Sequence, residues 1–111
     1  MNGVDLTSAD LERANLRRAT LSNAKLKHTN LRNAKIYKDT QIDDKWRLVW
    51  EIASVEVQGR VLYGSDLRNA WLCGANLKRA DLSNTNLDGA LFVGANLEEI
   101  NLRGASLREV S

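Results

Sequence analysis

The chain has 111 residues, 43% of them hydrophobic, with one cysteine, no proline and a formal net charge of +2. That length suits a single domain spanning 1–111 with a buried core. The lone cysteine excludes a disulfide framework and any multi-thiolate metal site, and fits a reducing compartment. Residues 1–20 hold no apolar run of signal-peptide length, and no segment approaches the ~18 apolar residues of a membrane span. A soluble, cytoplasmic protein is expected. Charge is uneven: residues 1–38 carry eight Lys/Arg against three Asp/Glu, while 39–61 and 62–111 are net −2 and −1. A basic half suits nucleic acid or an acidic partner, or is simply a solvated face.

The first run of elements, residues 4–38, includes "ADLERANLRRATLSNAKL", where Leu11, Leu16, Leu21 and Leu26 recur at every fifth position. An α-helix turns ~100° per residue, so these leucines would scatter around it. On a plain strand an odd spacing sends successive leucines to opposite faces. A second regularity resolves the pattern. A small residue stands two before each leucine, in Ala9/Leu11, Ala14/Leu16, Ala19/Leu21, Ala24/Leu26 and Thr29/Leu31. Residues two apart share a face of a short strand, and the next three must turn a corner so that the following pair also points inward. The result is a solenoid of alternating sides and corners.

The repeat stops after Ile36, and an insertion of about 39–61 follows. A helix is expected at about 43–57, with Asp43 or Asp44 near its N-cap and Gly59 past its end. Trp46, Trp50, Ala53 and Val57 form one stripe, continued by Leu48, Val49, Ile52 and Val55. This apolar arc of roughly 220° is too wide for a helix resting on one surface. A β reading of 47–57 is the alternative, but its alternation is poor.

The second run covers about 62–109, with Ala70/Leu72, Ala75/Leu77, Ala80/Leu82, Thr85/Leu87, Ala90/Phe92, Ala95/Leu97 and Ala105/Leu107. Units such as "ADLER", "ANLRR", "ANLKR", "ADLSN" and "ANLEE" resemble the Ala-(Asp/Asn)-Leu-X-X unit of the pentapeptide repeat family, over about three quarters of the chain. The segment "DDKWRLVWEI" resembles one preceding the repeats of cyanobacterial members. The resemblance implies an all-β fold, a right-handed quadrilateral parallel β-helix with four pentapeptides per coil, here with one inserted α-helix. Val4 and Ile100 are bulky where a small residue is expected, and Arg60 should distort the unit around Leu62.

A 20-residue coil makes i and i+20 neighbours, like cross-strand partners. Outward charges then stack as Asp5/Lys25, Glu12/Arg32, Arg68/Asp88, Asp88/Arg108, Lys78/Glu98 and Arg79/Glu99. Only Arg18/Lys38 places like on like.

No catalytic constellation is present, so an enzyme, a cofactor and a bound metal are not expected. His28 falls at an outward corner of the basic half, as a solvated residue. The Asp and Asn residues occupy the second repeat position, on a convex rod without the cleft that paired carboxylates need. Gly74, Gly89, Gly94 and Gly104 sit at corners and form no phosphate loop. One feature wants a cover: Trp71, Cys73, Leu91 and Val93 point outward together. The inserted helix is expected over this patch from outside, Trp46 and Trp50 nearest it, with Leu48, Ile52 and Val55 left for a second copy or a partner.

The functional expectation is a non-catalytic protein-interaction or scaffold module, acting through a protein partner or homo-oligomer. Two alternatives are weaker. Mimicry of DNA toward a topoisomerase, which long acidic members of the resembled family perform, suits neither the positive charge nor a rod of ~20 Å, four coils at ~4.8 Å. Nucleic-acid binding through the basic half lacks a single stripe, since Arg13, Arg17, Arg18, Lys25, Lys27, Arg32, Lys35 and Lys38 spread over several faces.

Overall fold

The computed structural model describes residues 3–54 and 60–111; the expected helix end at Val55 to Val57 and its stop at Gly59 fall outside them. Each pentapeptide solves the same local problem. The central leucine points inward, and the two residues after it make a turn whose fourth member is the next small residue. Ala9, Ala14, Ala19 and Ala24 donate their N–H to Leu6, Leu11, Leu16 and Leu21 at 2.9–3.1 Å, so four turns complete twenty residues. The third residue of each turn is left-handed, for example Ser8 at φ 61°, Arg13 at 62° and Gly74 at 73°. Positive φ at that position alone is the type II pattern. The Asp or Asn before each leucine accepts the N–H two residues on, as Asp5 does from Thr7 and Asn76 from Lys78. That Asx turn explains the second repeat position without any catalytic role.

The chain returns beside itself in parallel. Asp5 pairs with Lys25, Asp10 with Asn30 and Asn15 with Lys35; Val61, Asp81 and Asn101 continue one column, and Asp66, Asn86 and Ser106 another. The step is twenty residues throughout both runs. Inside, Leu21, Leu31, Leu67, Leu72, Leu77, Leu82 and Leu87 are fully buried, as are Ala70, Ala80 and Ala90. An inward threonine needs a partner for its hydroxyl: Thr29 Oγ1 donates to Leu6 O at 2.7 Å, and Thr85 Oγ1 to Leu62 O at 3.0 Å.

The solenoid does not stop at Ile36. Strand β1, Thr20–Leu21, pairs in parallel with β2, Gln41–Ile42, a step of twenty-one. Thr40 and Ile42 fill the small and large inward positions, and Thr40 Oγ1 donates to Leu16 O at 2.8 Å. The extra residue between Ile36 and Gln41 removes the one like-charge stack. Arg18 faces Asp39 instead of Lys38, with its N–H 3.3 Å from Asp39 Oδ1 and its Nε 3.5 Å from Oδ2.

Helix α1, Asp44–Ser54, leaves from the corner at Asp43. The N–H of Arg47 bonds Asp43 O, while Asp43 Oδ1 accepts from Asn23 N at 3.2 Å, twenty residues back. Asp43 therefore ends a coil and starts the helix at once. The helix lies between two cores rather than on the outside. Val49 and Ile52 are buried with Leu62, Leu67, Leu72 and Leu77. Trp50 packs against the core of Leu16, Leu21, Leu26, Leu31 and Ile42, and Trp46 touches both cores. The wide apolar arc is covered from two sides by the same chain, so the outside placement and the spare face at Leu48 and Ile52 are corrected.

Polar contacts fix this layer in place. Trp50 Nε1 donates to Ala34 O at 2.8 Å, Arg47 Nη2 to Thr40 O at 2.7 Å, and Lys45 Nζ lies 3.5 Å from Asp66 Oδ1. Arg60 turns away from the interior to pair with Glu51 of the helix. Leu62 then keeps regular register, its N–H bonded to Asp81 O at 2.7 Å, so the expected distortion there does not occur. The molecule measures 37 × 24 × 22 Å, longer than the ~20 Å expected from coils alone.

Candidate interaction surface

Three outer features remain once the cores are accounted for. The first is the side patch. Trp71 and Leu91 are paired in parallel, and Gly74 N bonds Val93 O at 2.9 Å, which sets Cys73 beside Val93. The four residues thus come together on adjacent rungs as the sequence arrangement requires. Trp71, Cys73 and Leu91 are half-buried and Val93 is 68% exposed. Trp46, Trp50, Leu48 and Ile52 do not join a common outer surface with them, since they serve the two cores and Ile52 is wholly buried. Val55 lies outside the described residues.

The second feature is the seam between the two runs. His28 is half-buried, not solvated: its backbone N–H bonds Asn69 O at 2.8 Å, and its Nε2 lies 2.7 Å from Gly89 O. A carbonyl only accepts, so Nε2 carries the proton. One corner further on, Arg32 donates through Nε to Ala53 O at 3.2 Å and through Nη2 to Gly74 O at 2.8 Å. Arg32 therefore joins the first run, the helix and the second run, in place of the expected stack on Glu12. The spacing rule could not show this, because the inserted layer resets which residue lies above Arg32.

The third feature is a terminal one. At the end of the second run Leu87, Phe92, Leu97, Ile100, Leu102, Leu107 and Val110 enclose an open hollow of about 160 Å³. All seven are apolar. Leu97, Leu107 and Val110 are 36%, 42% and 36% exposed although they sit at inward positions of the repeat. The signal was available: an inward residue of an outermost coil is covered on one side only.

Among the described residues no group of three or more His, Cys, Asp or Glu side chains could hold a metal ion, and no helix is long and apolar enough to cross a membrane. Among the described residues, Asp66 is the carboxyl drawn furthest from its ordinary value. The Arg68 side chain bonds both of its oxygens at 2.9–3.0 Å and, with the Arg68 N–H and the charges of Lys45 and Arg68, draws it down to about 2. Burial pulls the Lys45 ammonium down, against the attraction of Asp66. These groups clamp the helix to the second run.

A sequence model of pentapeptide repeats, in eight copies, matches residues 1–36, 61–98 and 86–111. The chain belongs to the pentapeptide repeat family. Membership implies a β-helix, consistent with the parallel twenty-residue step. Among solved structures the pentapeptide-repeat chain is similar to a pentapeptide repeat protein (Rfr23) from the cyanobacterium Cyanothece 51142. The identity is 26% and the TM-score 0.29, over 99% of this chain and 61% of that one. No curated protein matches it.

Proposed function

We propose that this pentapeptide-repeat protein is a non-catalytic interaction scaffold, built on a right-handed quadrilateral parallel β-helix and working in the cytoplasm. The observation that carries this reading is the apolar end hollow, where Leu97, Leu107 and Val110 present apolar surface at an open coil. Apolar surface that a fold leaves gathered in one place marks contact with another protein. The side patch of Trp71, Cys73, Leu91 and Val93 serves the same reading as a lateral contact. Pentapeptide-repeat proteins are generally non-catalytic repeat scaffolds, which supports it further.

A photo-crosslinking amino acid placed at Leu107, Val93 or the exposed Lys38 tests the proposal in cells that make the protein. Crosslinked protein adducts are expected from positions 107 and 93, and few from 38. Equal yields from all three positions, or none from any, would overturn the reading.

A further inference from the structure

The end hollow has a counterpart at the other end of the molecule. In the first coil Val4, Leu6, Leu11, Ala14 and Ala19 pack on the core from one side and are only half-buried. Each end of a twenty-residue coil is a ramp one rung high, with a step where the ramp closes. Two such ends fit only when their steps coincide. The Ser111 N–H bonds Ala90 O at 3.1 Å and its carbonyl accepts from Phe92 N, so it runs over Leu91. A second copy stacked with its Leu6 on Leu97 has each of its residues 91 positions below its neighbour in sequence, with Gly3 on Gly94, Leu11 on Leu102 and Leu16 on Leu107.

The side chains favour that register. Val4 meets Ala95, Ile100 meets Ala9 and Val110 meets Ala19. Each oversized residue at a small inward position is opposed by an alanine. Glu12 meets Arg103 and Arg18 meets Glu109, while Arg17 on Arg108 is the one like-charge pair. The two facing glycines are both left-handed, at φ 75° and 73°.

We propose that the C-terminal coil stacks on the N-terminal coil of a second copy, extending the parallel ladder from one molecule into the next. This rests on the interaction-scaffold reading and names its partner. Open ladder edges template such pairing, and a head-to-tail contact that does not close on itself builds filaments. A cross-section of 24 × 22 Å offers about 500 Å² per face, or about 1,000 Å² in all, the size of a reversible interface.

Sedimentation velocity of the 111-residue chain from 5 to 200 µM tests it. The mean mass should rise with concentration past the dimer. Val110→Lys blocks the tail and Ala9→Lys the head; both positions are partly exposed, so both variants should melt near the parent. Each alone should remain monomeric, and an equimolar mixture should give a dimer and nothing larger, because each variant retains one live face. Arg103→Glu and Glu12→Arg should each weaken assembly by about threefold to tenfold, and the double exchange should restore it. A parent chain monomeric at 200 µM would overturn the inference while leaving crosslinks to other proteins, and so the scaffold reading, intact. Failure of the mixture to dimerise while the parent assembles, or dimerisation of Ala9→Lys alone, would overturn the head-to-tail arrangement. Failure of the double exchange to restore assembly would overturn the register.

Discussion

At the corners, backbone conformation and the residue stacked alongside together set what each position tolerates. Gly89 and Gly94 share φ near 74°, yet their surroundings differ. A Cβ on Gly89 would run into the Asn69 side-chain oxygen, whereas on Gly94 its nearest neighbour is Gly74 N at 3.9 Å. Gly94→Ala should therefore cost only the left-handed strain, about 1–2 kcal/mol. Gly89→Ala should cost more, and adding Asn69→Gly should bring it back to the Gly94→Ala level; thermal melts of the three variants check the order. Asp66 governs the acid side. Its native pKa of about 2 lies below the ~3.9 of an unfolded aspartate. Its contribution is complete above about pH 4 and is lost as pH falls through about 2. The side chain is 44% exposed, so screening by water holds the effect under about 1 kcal/mol. Asp66→Asn should flatten the fall of melting temperature between pH 4 and 2 and leave the neutral slope unchanged.

The coils and the helix differ in how far the sequence discloses them. The inward leucines and alanines were legible because each corner is closed locally, so five residues suffice to read it. The continuation through Thr40 and Ile42 was harder, since one extra residue breaks the count while the Thr40-Gln41-Ile42 spacing keeps the rule. The helix itself followed from periodicity, but not its place: an arc of 220° says that two surfaces cover it, not whose they are. Burial now sets its energetics. Ile52, with no exposed surface, should lose about 2–5 kcal/mol on truncation to Ala. Trp50→Phe keeps most of the ring packing but strands Ala34 O, a change of about 1 kcal/mol. Urea denaturation should rank the two in that order; equal losses would mean that the helix does not bear on the second core. The end hollow was legible in principle, from Ile100 and the last leucines, but only once the coil had been given ends.

For the molecule as a whole, two cores imply two levels of protection. Backbone amides of the second run, whose leucines from Leu67 to Leu87 have no exposed surface, should exchange with solvent most slowly. Those of the first run, where Leu6 and Leu11 are half-buried, should exchange faster and as a group. Hydrogen exchange followed by mass spectrometry checks this, and a single uniform class would mean one cooperative unit. The His28 to Asn69 bond has a consequence for how the chain reaches this state. Nearly every other ladder contact closes a loop of about twenty residues, so each rung forms at the same entropic cost as the last. The seam closes forty-one. Doubling a loop adds only about 0.6 kcal/mol, but it leaves the two halves free to zip independently, each from its own nucleus. Joining them is then expected as a separate event, with the halves folding before they dock and the His28 contacts to the carbonyls of Asn69 and Gly89 made last, which would read out as a slow second phase in refolding.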